Sequence, residues 1–341
     1  MATMQDVARA AGVSLKTVSR VVNGESGVRP ETATRVLASI ASLEFRPNVA
    51  ARSLRVGRSL PLLGLVIGDL ANPFYSAIAR GVEEVAADQG YLVITGSSEE
   101  HANREQDLLS TLYRQHIAGL LVVPAADQPE LNAAIRVPKV CLDRPSPSGD
   151  ADAVLLDNRG GAEQGVANLI ALGHRRIGVV GDEQSLFTAA ERLAGYRAAL
   201  AVAGIEYDAS LVLLGASTAE RAETCAYRLL NREDFPSAIF AMNNRACIGV
   251  LRAVAARHSP IAVLGFDDLE LAGLLPSLHA LVVNDPMELG RAGTRLLLAR
   301  MGGDDSPWRT IVLPTTLVVF GHGSLPGSQT AALSTSGSQV G

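Results

Sequence analysis

Four arginines and no acid fall within residues 46–58: Arg46, Arg52, Arg55 and Arg58, with one large aliphatic side chain, Leu54, between Arg52 and Arg55. The chemistry open to such a cluster is neutralisation of a polyanion. Pro47 ends whatever precedes it, and Asn48 can cap a helix that starts there. Residues 48–55 are too few to hold a helix alone in water, so the stretch reads either as a segment that folds on its polyanion or as a linker that is basic by chance. A second set of polar residues lies farther along. Asp69, Asn72, Asp143, Asn243 and Asp267 follow apolar, strand-like runs, and Arg192 precedes Leu193-Ala194-Gly195-Tyr196. Carboxylate, amide and guanidinium groups can pair the vicinal hydroxyls of a polyol, and Phe74 offers an apolar face to a sugar ring. The same residue types also cap helices and bridge subdomains, and that alternative stays open at each position.

The charge is divided unevenly. Residues 1–58 hold nine Lys and Arg against four Asp and Glu, a net of +5, while the remaining residues carry a net of −10. A basic head on an acidic body points to a polyanionic partner for the head alone. With 341 residues, 48% hydrophobic, and a mean hydropathy of +0.20, the chain can bury more than one core. Its longest apolar runs are about six residues, as in buried strands and far short of a membrane span. The opening MATMQDVARAAG lacks the apolar core of a signal peptide, so a cytoplasmic location, close to the nucleoid, is expected. Cys141, Cys225 and Cys247 are far apart and odd in number, which predicts no disulfide framework. The six histidines show no metal-binding spacing, and no cofactor is expected.

These residues need elements to hold them. Residues 4–11 read as a short amphipathic helix with Val7, Ala8 and Ala11 on one face, broken by Gly12. Ser14 caps a second helix over 15–22, and Pro30 opens a third to about 43 with Val36, Leu37, Ile40 and Leu43 as its core stripe. Helix, short glycine-containing turn, helix is the helix-turn-helix pattern, whose second helix enters the major groove. From 60 to 323 strand-like runs at 62–67, 91–95, 119–123, 139–142, 153–156, 177–180, 211–214, 238–241 and 261–265 alternate with helical patterns near 74–89, 101–116, 159–172, 187–203, 218–231, 244–257 and 286–301. This βαβ succession predicts parallel sheets wound with helices, five to six strands each, with ligands at the carboxyl ends of the strands.

Asp6-Val7-Ala8-Arg9-Ala10-Ala11-Gly12-Val13-Ser14, then Thr17-Val18-Ser19-Arg20-Val21-Val22-Asn23, resembles the head of LacI/GalR-family transcription regulators. Phe45-Arg46-Pro47-Asn48 and Ala51-Arg52-Ser53-Leu54 resemble that family's hinge helix, and the likeness continues through most of the body. The resemblance implies a helix-turn-helix head over 1–46, a hinge over 47–58 and a periplasmic-binding-protein-like body over 59–323. The body would have one subdomain at about 60–156 plus 286–314 and another at about 157–285 plus 315–323, with a cleft between them. Residues 324–341, rich in Ser, Gly and Thr, are expected to be a disordered tail.

By the same resemblance Leu15, Lys16 and Arg20 are base-reading positions. Lys16 and Arg20 lie one turn apart on one face and can each donate to guanine, while Leu15 can only make apolar contact. Ser14, Thr17, Ser19 and Asn23 would hold phosphates, with Asn48 and Arg52 positioning the hinge. Leu54 stands where family hinges insert a leucine between base pairs in the minor groove. Asp143, Arg192, Asn243 and Asp267 match family effector contacts. His174, in Gly173-His174-Arg175-Arg176, reads as a structural turn residue. Helices 74–89 and 101–116 are expected in the interface of a homodimer.

The chain departs from the family pattern in four places. Arg29 replaces a serine before Pro30, which removes a helix cap and can add a phosphate contact. Asn243-Asn244 replaces Asn-Asp, Gly215-Ala216-Ser217-Thr218 replaces a stretch that often carries an aromatic, and Asn284 replaces a glutamine. The expected function is therefore a dimeric repressor, not an enzyme, that binds a palindromic operator in double-stranded DNA and answers to a small-molecule effector, a sugar or sugar derivative. A family regulator answering to a non-sugar metabolite or a partner protein is the alternative. A sugar-binding transport protein is disfavoured by the basic head.

Overall fold

Thr3 starts the first helix: its hydroxyl accepts from the Asp6 amide at 3.3 Å, and the Asp6 carboxylate accepts from the Thr3 amide at 3.0 Å, a reciprocal cap. The computed structural model describes residues 2–22, 26–43, 45, 61–125, 135–146 and 148–320. The chain divides between residues 60 and 61 into two units. In the first, α1 (Met4–Ala11) ends at Gly12, whose φ of 64° suits glycine, and α2 (Leu15–Val22) begins after Ser14, whose hydroxyl accepts from the Thr17 amide at 3.2 Å. α3 (Pro30–Ser42) has no side-chain cap at Arg29, as expected from the missing serine. Val7, Ala8, Ala11, Val18, Val36 and Phe45 form the core of this head. The stripe expected on α3 is narrower than its sequence suggested. Val36 is buried and Ile40 packs beside it, but Leu37 is 56% exposed and Leu43 is also exposed. Residues 36 and 40 share a face, whereas 37 is turned about 100° away from 36, and Phe45 closes the core instead.

Among the described residues the body holds twelve strands in two six-stranded sheets. β1 (Leu62–Ile67), β2 (Leu92–Ser97), β3 (Gly119–Val122), β4 (Lys139–Leu142) and β5 (Asp152–Leu156) make the first sheet with β11 (Thr310–Leu313), in the order β11-β5-β4-β3-β1-β2. β6 (Ile177–Val180), β7 (Val212–Leu213), β8 (Ala238–Ala241), β9 (Ala262–Phe266) and β10 (Leu278–Val283) make the second with β12 (Thr316–Val319), in the order β12-β10-β9-β8-β6-β7. The second sheet repeats the first strand for strand. Every pair is parallel except β10–β12. Central strands such as β3, β6 and β8 are buried along their whole length because helices cover both faces, which explains their unbroken apolar runs.

The covering helices are α4 (Pro73–Asp88), α5 (Ala102–Arg114), α6 (Asn158–Ala171), α7 (Phe187–Val202), α8 (Ala219–Leu230), α9 (Asn244–Ala256) and α10 (Pro286–Met301). The chain passes between the sheets three times: after β5, between β10 and α10, and at Pro314-Thr315 between β11 and β12. The last two strands carry no clear βα signal, whereas β10, also absent from the expected strands, is buried along most of its length and is followed by α10. β11 and β12 are half-exposed edge strands separated by two residues, so neither the helix that usually follows a strand nor a fully apolar run marks them. α6 and α7 pack closely enough that a Cβ at Gly195 would run into the Arg159 carbonyl, and this close approach sets the position of Arg192 three residues earlier.

Candidate ligand cleft

The carboxyl ends of strands from both sheets face a cleft of about 500 Å³ within the body. Parallel sheets bind ligands there because strand ends and helix starts present side chains and amides that the sheet itself does not use. On the first wall, Asp143 follows β4 with a left-handed backbone, φ 64°, and its amide donates to the Val154 carbonyl at 2.8 Å. On the second, Asp267 follows β9, the strand in the same place of the repeat, with φ 70° and its amide donating to Val282 at 2.9 Å.

Arg144 organises the first wall. Its guanidinium donates to both Glu100 oxygens at 2.6 and 2.9 Å, to the Pro124 carbonyl at 2.7 Å and to the Tyr75 hydroxyl at 3.2 Å. The Tyr75 hydroxyl donates in turn to Glu100 at 2.9 Å, and burial pushes that phenol well above its ordinary range. Asp143 is 3% exposed, and its Oδ1 is a buried acceptor with no hydrogen-bond partner. Burial raises its carboxyl to about 6 against the pull of Arg144 and Arg192, and Asp267 and Glu100 add to the rise.

Arg192, on α7, organises the second wall. Its Nε donates to Asn158 Oδ1 at 2.7 Å, its Nη1 to the Met242 carbonyl at 2.5 Å, and its Nη2 lies 3.5 Å from Asp267 Oδ1. The guanidinium also sits 3.8 Å over the Phe266 ring, a desolvated cation–π contact. Asn284 donates to Asp267 at 3.0 Å. Asn243 caps α9 by accepting from the Ala246 amide at 2.7 Å and donates to Asp182 at 2.5 Å. Burial raises the Asp182 carboxyl.

Two contacts tie the walls together. Asp69, after β1, pairs with Arg245 on α9, and Asn72, the cap of α4, bonds with Asn244. Burial by itself would raise Asp69, but the Ala71 amide and Arg245 outweigh it and hold the carboxyl below its ordinary value.

All seven residues expected at an effector site line this one cleft. Their roles differ, however. Asp143 and Asp267 face the open volume, Arg192 is largely consumed by protein partners, Asn243 caps a helix, and Asp69 and Asn72 bridge the walls. Phe74 lines the cleft at 9% exposed, edge-on to Tyr75 with ring centroids 5.2 Å apart, so most of its ring belongs to the core. Glu100, Asp182 and Arg245 were missed. Asp182 follows β6, so the strand-end rule reaches it; Arg245 adjoins Asn243-Asn244 but carries no signal of its own. His174 is buried, with Nδ1 2.9 Å from Ser237 Oγ, as a structural turn residue should be.

In the head, Leu15, Lys16 and Arg20 are exposed on α2, opposite buried Val18. Ser14 and Thr17 hydroxyls lie 2.9 Å apart at the start of that helix, Ser19 lies half-buried on it, and Arg29 is exposed before α3. Asn23, Asn48, Arg52 and Leu54, together with the expected tail, lie outside the described residues. Among the described residues no helix is long and apolar enough to cross a membrane.

Residues 3–48 match the family of bacterial regulatory proteins of the lacI type, and residues 61–272 match the periplasmic binding proteins and sugar binding domain of the LacI family. The chain belongs to the LacI family. Relatives within it include the ribose operon repressor of Haemophilus influenzae, 31% identical over 94% of this chain and 98% of that protein. Another is the regulator CelR of Thermobifida fusca, 35% identical over 93% and 97%. Among solved structures, the lac repressor dimer bound to operator and an anti-inducer superposes with a TM-score of 0.81 at 28% identity, covering 94% of this chain and 99% of that one. The complex of CelR with cellobiose gives 0.71 at 31% identity, covering 94% and 99%. LacI-family members such as these are DNA-binding transcriptional regulators rather than enzymes, and this chain is one of them.

Proposed function

We propose that this regulator is a homodimeric repressor of a palindromic operator, released or engaged by a sugar bound between its two sheets. The observation that carries the effector half is the pair Asp143 and Asp267, acceptors at matching strand ends on facing walls, with Arg192 beside one and Arg144 beside the other. A polyol with hydroxyls on two edges satisfies both walls at once, so its binding favours one separation of the sheets over others. The relatives named for ribose and the complex with cellobiose support the same class.

On the DNA side, two copies of α2 would enter successive major grooves with Lys16 and Arg20 at base edges, while Ser14, Thr17, Ser19, Asn23, Arg29, Asn48 and Arg52 fix register on the backbone. Leu54 from each copy would wedge the minor groove at the centre of the site. Ligand-dependent movement of the two sheets would reset the hinge separation, and with it the free energy of folding the hinges on DNA. A coupling of about 1–3 kcal/mol suffices for a working switch.

One observation favours a second reading. The cleft's aromatic lining is Phe74 and Tyr75, both more than nine-tenths buried, so a ring-stacking platform is small and a compact non-sugar metabolite would meet the same polar groups. The test is operator binding by fluorescence anisotropy with the full chain, with and without a panel of pentoses, hexoses and disaccharides. A shift in operator affinity with one of them supports the sugar reading, and its absence across the panel favours the second.

A further inference from the structure

The cleft carries more negative charge than its cations can balance. Among the described residues, seven carboxylates line it against three guanidiniums, Arg144, Arg192 and Arg245. Each of those cations already holds a carboxylate: Glu100, Asp267 and Asp69 respectively. Asp143 shares Arg144 with Glu100 at 3.9 Å, and Glu99 pairs with Arg104 on α5.

Helix starts are where proteins usually seat phosphates, because their amides are unpaired and their dipole is positive. Among the described residues, five helix starts line this cleft, and none is offered to an anion. Those of α4, α8 and α9 are capped by Asn72, Thr218 and Asn243. Those of α5 and α7 have no side-chain cap, and each follows a pair of acids, Glu99-Glu100 and Asp182-Glu183. The acids follow different strands of the repeat, β2 in one half and β6 in the other, and each pair precedes a positive helix end. Among the described residues, two buried polar atoms of cleft-lining side chains lack a hydrogen-bond partner, the acceptor Asp143 Oδ1 and the donor Arg144 Nε, and Arg144 Nε lies 3.9 Å from the other Asp143 oxygen.

We infer that the cleft selects against anions, so that the effector is an uncharged sugar and not its phosphate or uronic acid. The inference rests on the sugar reading above and deepens it. A phosphate would bring between one and two further negative charges into a site that already has a surplus. A hydroxyl, by contrast, brings no charge and donates to the carboxylates that line the cleft. The regulator then senses the sugar as supplied by uptake or by glycoside hydrolysis, and phosphoryl transfer to that sugar removes the signal.

Isothermal titration of the full chain with matched compounds tests this: D-ribose against D-ribose 5-phosphate, and D-glucose against D-glucose 6-phosphate and D-glucuronate, with cellobiose as a larger neutral probe. Uncharged members should bind, with their anionic partners at least tenfold weaker. An anionic member binding as tightly as its neutral partner would overturn the inference. The double variant Glu99→Gln/Glu183→Gln, at two exposed positions, should narrow the gap at least threefold without weakening the neutral sugar, and an unchanged gap would also overturn it. Silence across the whole panel counts against the sugar reading itself. Inorganic phosphate, titrated at constant ionic strength, then decides the charge assignment. No shift in the melting curve upholds it, and saturable stabilisation that disappears in Arg245→Ala refutes it.

Discussion

Asn244 Nδ2 donates to Asn72 Oδ1 over 2.7 Å, joining two residues 172 positions apart and on opposite sides of the cleft. The return bond, from Asn72 Nδ2 to Asn244 Oδ1, is longer at 3.4 Å. Asn72 belongs to the helix that follows β1, and Asn244 begins the helix that follows β8, so the pair ties one sheet to the other. Beside it Asp69 pairs with Arg245. An Asp at 244 would lack the amide that donates to Asn72, so the asparagine that departs from the family pattern is the residue that makes this bridge.

The bridge should be measurable as a coupling. A double-mutant cycle of Asp69→Ala and Arg245→Ala, read by denaturant unfolding, is expected to give about 0.5–1 kcal/mol, since both partners keep a quarter to a third of their side-chain surface in water. Asn244→Ala should speed amide hydrogen exchange around 69–76 and 243–247 without lowering global stability to the same extent. Exchange that stays at the parent rate would mean the walls are held together by other contacts.

Asp267 is expected to separate ligand response from DNA binding. Replacing it with alanine would remove the carboxylate paired with the buried Arg192, at a cost of about 3–5 kcal/mol, so Asp267→Asn is the cleaner variant. It should bind operator with unchanged affinity and lose the shift that the sugar causes. A shift of the parental size would remove Asp267 from the effector contacts.

Asp143 should impose a pH dependence of opposite sign to that of a salt-bridged carboxylate. Its folded-state value is raised from 3.8 to about 6, first by burial, so between those values the folded protein holds a proton that the unfolded chain has released. The stability this group contributes is full below about pH 4 and is lost as pH rises through about 6. Asp143→Asn carries no such loss. Denaturant unfolding from pH 4 to 7 should show the variant gaining on the parent by up to about 3 kcal/mol. Carboxylates held low elsewhere, such as Asp150 and Asp304 at about 2, are common to both proteins and cancel in the comparison. A constant difference across the range would mean that Asp143 titrates at its ordinary value.

Lys16→Ala and Arg20→Ala should each relax preference at particular base pairs by about 1–3 kcal/mol, measured on operators with single substitutions. Loss that is uniform over all sequences would make these side chains phosphate clamps. Leu54→Ala should weaken operator binding far more than binding to unrelated DNA, because a wedge is productive only at a step that kinks.

Much of the fold could be read in advance because its signals are local. Gly12 after an amphipathic turn, Pro30 at a helix start and unbroken apolar runs of four to six residues each report on their own neighbourhood, and the alternation of strand and helix follows from them. Where the reading fell short, a local signal was absent or was overridden. β11 and β12 are edge strands with half their side chains in water, so their patterns are weak. Leu37 has the composition of a core residue but sits on the wrong side of α3 once Phe45 closes the head.

The site divides along the same line. Residue types and spacing along the chain are enough to establish the LacI family, the parallel-sheet body and the polar strand ends that meet in one cleft, because each depends on a few neighbouring residues. Partnership is a different matter. That Arg192 spends its donors on Asn158 and Met242, that Arg144 is claimed by Glu100, that Asn72 meets Asn244 and that Asp143 keeps an oxygen without a donor are decided only when segments far apart in the chain pack together. Net charge in a cleft is a sum over such partners, so only the packed structure shows that the cations are already taken and which ligand the remaining acids would accept.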